Sequence, residues 1–245
     1  MGNLFHFEKS FGVFVGKLIE NKLHKHYYQQ ISVSSETDMA LFLPKQDIIG
    51  KAFFINSNIS HKLISNTTQL TILINPLTPI GHQLHLKFGQ IDYVTLNNLL
   101  TKNLQELIGY FIQQKTEFSN LCKQIALILD SYKCNCELEN HLDDDRIAKA
   151  IDLMDKDFEK VFSLEEVADF CSLSSTRFLH LFKEKTNLNF RRYQLSNKLI
   201  KSLPYLLEHS ITHTAYTFGF SDSSHYTKTF IETFGVTPKF LLSKK

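Results

Sequence analysis

Hydrophobic positions along the chain change period near residue 95. Before it, FGVFVGKLI, LHKHYYQQISVS, MALFLP, IGKAFFIN and TQLTILIN are short β-branched and aromatic runs. Polar turns such as Glu20-Asn21-Lys22 and Asn56-Ser57-Asn58 separate them, the signature of strands. A succession of short strands without intervening helices predicts a sandwich or small barrel. From Val94 the runs LNNLLTKNLQELIGYFIQQ and EFSNLCKQIALILDSYK repeat apolar residues every three or four positions, as amphipathic helices do. The polar stretch ELENHLDDD, residues 137–145, reads as a linker that places acidic side chains at the next helix N-terminus. RIAKAIDLMDKDF follows as an amphipathic helix, and FRRYQLSNKLIKSLPYLLE as a long connecting helix whose last turn or kink is marked by Pro204. The expected fold is α+β in two domains. Residues 1–95 form a β-domain, 96–142 a helical linker, and 143–245 an all-α domain.

Within the last region one pattern occurs twice. SLEEVADFCSLSSTRFLHLFKEKTNLNF from Ser163 repeats as SITHTAYTFGFSDSSHYTKTFIETFGVTP from Ser210. An offset of 47 pairs Ser163 with Ser210, Ala168 with Ala215 and Leu173 with Phe220. One extra residue near Asp222 changes the offset to 48, which pairs Phe178 with Tyr226, Phe182 with Phe230 and Asn187 with Gly235. The shared positions have physical reasons. Ser before an apolar-periodic run caps a helix, and Glu166 completes a capping box with Ser163. A small Ala lets two helices cross closely. Asn187 and Gly235 suit the left-handed conformation that ends a helix. Each copy is a helix-turn-helix.

Charge sharpens this picture. The net charge of +2 averages two opposite regions. Acidic residues dominate from Glu137 to Phe170, whereas from Cys171 onward eleven basic residues face four acidic ones. That asymmetry fits a nucleic-acid-binding end. The four cysteines make no disulfide framework, and the C-x-C of Cys134 and Cys136, even with His141, is too little for a zinc site. No signal peptide, myristoylation motif or apolar run of membrane-spanning length is evident, so a soluble cytoplasmic protein with reduced thiols is expected.

Residues 143–245 resemble the DNA-binding domain of the AraC/XylS family of transcription regulators. AYTFGFSDSSHYTKTFIETFGVTPKF follows that family's second signature through Ala215, Gly219-Phe220, Ser224, Tyr226, Phe230, Gly235 and Thr237-Pro238. The first half matches through Leu164, Val167-Ala168, Leu173-Ser174, Phe178, Leu181-Phe182-Lys183 and Tyr193. The chain departs from the pattern in a shorter connection between Leu206 and Ser210, and at Lys198, Pro204, Ile231 and Phe240-Leu241. The resemblance implies two helix-turn-helix units, each with its second helix in a major groove, the grooves about one helical turn apart. Periodicity buries Phe178, Leu181 and Phe182 in the first unit and Tyr226 and Phe230 in the second. It leaves Ser175, Thr176, Leu179, His180 and Lys183, then Ser223, Ser224, His225, Thr227 and Lys228, facing outward, with Arg177 at the groove's edge. Among these, the resemblance puts Thr176, Leu179, His180, Ser223, Ser224 and Lys228 at base edges and nearby phosphates. It also implies double-stranded promoter or operator DNA and RNA polymerase as partners.

The N-terminal strands resemble the cupin-like barrel that many such regulators carry. His24, His26 and Gln30 with the distant His61 approach the cupin metal pattern, but Gln stands where a carboxylate would hold a dication. The expectation is therefore no metal and no cofactor. These four residues would line an interior that takes a small organic effector, or would hydrogen-bond only to one another. The apolar surplus between Leu96 and Tyr132 predicts a homodimer through isologous helix packing. The resulting expectation is a DNA-binding transcription regulator without enzymatic activity. Its rivals are a cupin metalloenzyme with a DNA-binding appendage and a ligand-independent regulator switched by a partner protein.

Overall fold

The computed structural model of the chain describes residues 2–8, 10–136, 144–156 and 160–242. It divides into two compact units, Met1–Cys134 together with Thr227–Lys245, and Asn135–Tyr226. In the first, β1 (Leu4–Phe7), β2 (Phe11–Leu18), β3 (Gln29–Ser34), β4 (Met39–Leu43), β5 (Gln46–Gly50), β6 (Ala52–Ile55), β7 (Lys62–Ile74) and β8 (Tyr93–Thr95) build one antiparallel system. Its hydrogen-bonded path runs β1-β2-β7-β3-β6-β8, with β4 pairing β7 and β5 pairing β4. Strand β7 belongs to both parts: Lys62–Ile64 pair with β4, and Gln69–Ile74 lie between β2 and β3.

Alternation along the central strands sorts their side chains to two faces. Ile31 and Val33 of β3 and Leu70, Ile72 and Ile74 of β7 join one apolar core. Helices α2 (Leu99–Ile112) and α3 (Phe118–Ser131) close that core through Leu100, Leu104, Ile108, Phe111, Leu121, Ile125 and Leu129. Helix α2 starts at a reciprocal cap between Asn98 and Thr101. The opposite face carries Gln30, Ser32, Ser34, Gln69 and Thr71, all buried. A chain of hydrogen bonds satisfies much of it. Gln30 donates to Ser32 Oγ (3.0 Å), Ser32 meets Thr71 (2.9 Å), and Gln69 donates to Thr71 (3.3 Å).

Three expectations change. Helix α1 (Pro79–Phe88) interrupts the strands; it is announced by the Thr78 cap and by Pro79 at its first turn. Residues 23–28 are not a regular strand, and only His24 bridges to His61. Most of the helical pair's apolar surplus is absorbed by the sheet, leaving Leu99, Tyr110 and Leu127 exposed.

The second unit contains α4 (Asp145–Lys156), α5 (Leu164–Phe170), α6 (Ser175–Thr186), α7 (Phe190–Leu206) and α8 (Ile211–Thr217). Helix α9 (Ser223–Phe234) runs on from it, and α10 (Pro238–Leu242) lies in the first unit. Pro204 falls in the last turn of α7, where its missing N–H removes one i→i−4 bond and the helix ends two residues later. Of the acidic linker only Asp144 and Asp145 are among the described residues; the rest, with His141, lies outside them. All four cysteines are free thiols. Among the described residues no helix is long and apolar enough to cross a membrane.

Candidate nucleic-acid interface and effector site

The two helix-turn-helix units are built by the same local bonds. In the first, Ser163 accepts from Glu166 N (3.1 Å) and Glu166 accepts from Ser163 N (2.7 Å), which fixes the start of α5. The turn passes through Ser172 in the left-handed region (φ 55°), and Leu173 N donates to Ala168 O (2.9 Å). Ser174 then caps α6. Phe178 and Phe182 pack on Phe190, with ring centres 4.8 and 5.0 Å apart. Their burial, with that of Leu181, sets the rotation of α6 about its axis. Thr176, Arg177, His180 and Lys183 are left exposed, with Ser175 and Leu179 half-buried.

The second unit repeats this at the offsets read from sequence. Ser210 caps α8 by accepting from His213 N (3.2 Å), Gly219 takes the left-handed turn position (φ 70°), and Phe220 N donates to Ala215 O (2.9 Å). Asp222 accepts from His225 N (2.8 Å) at the start of α9, and that bond holds its carboxyl below the usual carboxylate range. Tyr226 is fully buried and its hydroxyl meets Ser202 Oγ (2.8 Å); burial pushes the phenol up to about 12. Ser224, His225 and Lys228 are exposed, and Ser223 and Thr227 half-buried. Thus all eleven residues expected to meet DNA are at least partly accessible, on the second helices of their units. Lys201 is different: it is buried, and Nζ donates to the carbonyls of Met154 (3.0 Å) and Lys160 (2.7 Å), so it supports the fold and does not add to the basic surface.

In the first unit of the chain, His24, His26, Gln30 and His61 do come together. All four are buried, and the three imidazole centres lie 4.4, 5.2 and 5.7 Å apart. The backbones of His24 and His61 exchange bonds of 3.0 and 2.9 Å, which brings the loop beside β7 although residues 23–28 are irregular. Burial pushes all three imidazoles down, His24 to about 3, so the cluster is uncharged at neutral pH. A pocket of about 330 Å³ opens nearby, lined by Ile19, Lys22, Lys62, Ile64, Val236 and Phe240 among others. Sequence reasoning missed it because its wall is assembled from β2's end, β7's start and the end of α9 with α10. Gly235 also lines it, in the left-handed region (φ 72°), where an added Cβ would collide with Asn21 Oδ1 and His24 Nδ1. Its carbonyl accepts from Lys22 N (2.8 Å).

Known proteins resemble the chain in the same regions. A profile described as "Helix-turn-helix domain" matches residues 167–244. The HTH-type transcriptional activator RhaS of Escherichia fergusonii is 28% identical over 159 residues, covering 63% of this chain and 56% of that protein. The chain thus spans little more than half the length of that relative. The HTH-type transcriptional regulator YdeC of Bacillus subtilis is 23% identical over 255 residues, covering 91% of this chain and 87% of its own. Solved structures of ToxT from Vibrio cholerae share the fold. An apo variant has a TM-score of 0.61 at 16% identity, covering 96% of this chain and 98% of that one. A form bound to unsaturated fatty acid has a TM-score of 0.54 at 15% identity, with 96% of each chain covered.

Proposed function

We propose that this chain is an AraC/XylS-type DNA-binding transcription regulator, and that it reads a promoter or operator with both helix-turn-helix units of residues 143–245. The reading rests on one observation, the matched capping, turn and burial geometry that exposes α6 and α9 on equivalent faces. Thr176, Leu179, His180, Ser223, Ser224 and Lys228 contact base edges and adjacent phosphates. Ser175, Arg177, Lys183, His225 and Thr227 supply the surrounding polar and phosphate contacts. Hydroxyls bond to several bases and Lys228 can donate to guanine, so base discrimination is modest and phosphates carry much of the affinity. The protein acts in the cytoplasm by binding, not by catalysis, and works through RNA polymerase.

The effector enters the pocket beside Gly235. Lys22 and Lys62 offer two cations against one carboxylate, Glu20, and Ile19, Ile64, Ile231, Val236 and Phe240 an apolar wall. That combination suits a carboxylate with a hydrocarbon body, the chemistry of the unsaturated fatty acid bound to ToxT. None of His24, His26, Gln30 and His61 lines the pocket; His24 borders it at Gly235. An effector seated there changes DNA affinity only if it favours one placement of the α9–α10 end over another. Two copies meet through the exposed Leu99, Tyr110 and Leu127 of the helical pair.

Selection of duplexes from a random library by the full chain should enrich one motif, with binding that weakens steeply as salt rises. Failure to retain any duplex at low salt would overturn the DNA reading. Lys22→Ala/Lys62→Ala should abolish any response to an added fatty acid while leaving basal DNA binding intact. A monomer by light scattering at micromolar concentration would remove the dimer.

A further inference from the structure

The C-x-C of Cys134 and Cys136, short of a metal site in sequence, gains a third donor in the fold. His82 on α1 lies 52 positions back along the chain, and its Nδ1 is 3.4 Å from Cys134 Sγ. A ring nitrogen of His82 and the Sγ atoms of both cysteines all lie within 4.8 Å of one another. The backbone supports this meeting independently of the side chains. Cys134 N donates to Pro79 O (3.2 Å) at the start of α1, and His82 N donates to Thr78 O (2.8 Å) in the same turn. Cys134 is buried, His82 half-buried and Cys136 exposed, so the three donors run from the interior to the surface. Among the described residues no carboxylate and no further histidine joins them.

We infer that His82, Cys134 and Cys136 bind a zinc ion through one ring nitrogen and two thiolates, with water in the fourth position. Zinc takes nitrogen and sulfur donors in a tetrahedron, with bonds of about 2.0–2.1 Å to His and about 2.3 Å to Cys. Those lengths put tetrahedral donors roughly 3.6–3.8 Å apart. The His82–Cys134 pair already stands near that spacing, and the widest pair needs to close by at most about 1.2 Å. Thiolate donors select soft and borderline ions over magnesium and calcium. Each thiol gives up its proton on binding, so two thiolates cancel the charge of the dication and no net charge is carried in beside the buried Cys134. The exposed Cys136 gives the ion a way in, and the water position leaves it exchangeable. Once bound, zinc ties the segment after α3 to α1 just before the chain enters residues 137–145. The sequence hid this grouping because its third member sits on α1, a helix among strands. The proposal does not rest on the effector or DNA reading.

Full-length protein, reduced and metal-free, should bind about one equivalent of zinc in competition with a chromophoric chelator, releasing about two protons per ion. Cobalt(II) in its place should give tetrahedral visible bands together with a sulfur-to-cobalt charge-transfer band. Cys136→Ser, at an exposed position, should keep the fold and weaken binding at least about 100-fold. Cys134→Ser and His82→Ala should weaken it as much. Cys171→Ser, which removes a buried thiol outside the cluster, should leave the affinity unchanged. Protein that is folded by circular dichroism yet takes up no zinc on titration overturns the site. So does a cobalt spectrum without the charge-transfer band, loss of metal in Cys171→Ser, or a folded Cys136→Ser variant with unaltered affinity. If Cys134→Ser or His82→Ala does not fold, the Cys136→Ser and cobalt measurements decide.

Discussion

The two helix-turn-helix units share one local design but end differently, and the difference shows how context acts on a repeat. Asn187 and Gly235 both follow the second helix in left-handed conformation, with φ 56° and 72°, and each donates its N–H back to the helix. Asn187 is exposed, so a side chain that tolerates this backbone suffices. Gly235 lies against Asn21 and His24, and only the absence of a Cβ lets its carbonyl reach Lys22 N. The same backbone shape is thus met by two residue types for two reasons: conformational tolerance alone in one, tolerance plus close approach in the other.

The largest expected effect tests that distinction directly. Gly235→Ala combines left-handed strain with a collision and should cost about 2–4 kcal/mol. Asn187→Ala carries the strain alone and should cost about 1 kcal/mol. Gly235→Asn restores tolerance but not space, so it should remain close to the Ala value. Urea denaturation of the three variants checks the order; equal losses at the two positions would dissolve the comparison.

On the DNA-facing side the two units should behave alike. His180→Ala and Lys228→Ala should each weaken binding to a selected duplex by about 1–3 kcal/mol where they touch base edges, and relax preference at separate positions. Fluorescence anisotropy against selected and scrambled duplexes measures both. Unchanged preferences in both variants would mean that other residues read the bases.

A smaller difference lies inside the units. Phe178 and Tyr226 occupy equivalent positions, yet only Tyr226 needs a partner, Ser202 at 2.8 Å. Tyr226→Phe should cost about 1–1.5 kcal/mol through the lost buried bond. Thermal unfolding that shifts no more than in a surface control would show the bond to be neutral. Least of all, Ser163→Ala should lose about 1 kcal/mol, and Ser210→Ala roughly half as much, because Ser163 shares a two-bond capping box and Ser210 makes a single bond. Reversal of that order in denaturant titrations would count against the capping-box argument.

The helix-turn-helix half was legible in sequence because its determinants are local. Caps, small crossing residues and left-handed positions act within about five residues, and the 47- and 48-residue offsets carried them intact into three dimensions. Where the determinants are distant, less could be read. His24, His26, Gln30 and His61 lie together, but of the expected strand only the part from Gln29 on forms, as β3; the His24–His61 bridge brings the irregular residues 23–28 to it. Helix α1 carried readable signals, Thr78 before Pro79, and was obscured by the strand-rich texture around it. The pocket had no local signal. Lys22, Lys62 and Phe240 are unremarkable singly, and only the fold of the first unit makes them neighbours.

Asn3 Nδ2 donates to Phe240 O across 237 positions of chain, and Lys22 N reaches Gly235 O across nearly as many. A ribosome makes the N-terminal end first and domains begin folding as they emerge. The sheet, from β1 to β8, can therefore pair its strands long before Phe240 exists. The first helix-turn-helix is likewise complete by Phe190. The pocket that we assign to the effector is finished only once Phe240 has been made, after both helix-turn-helix units. During synthesis, the first helix-turn-helix therefore precedes the pocket that our proposal makes its control.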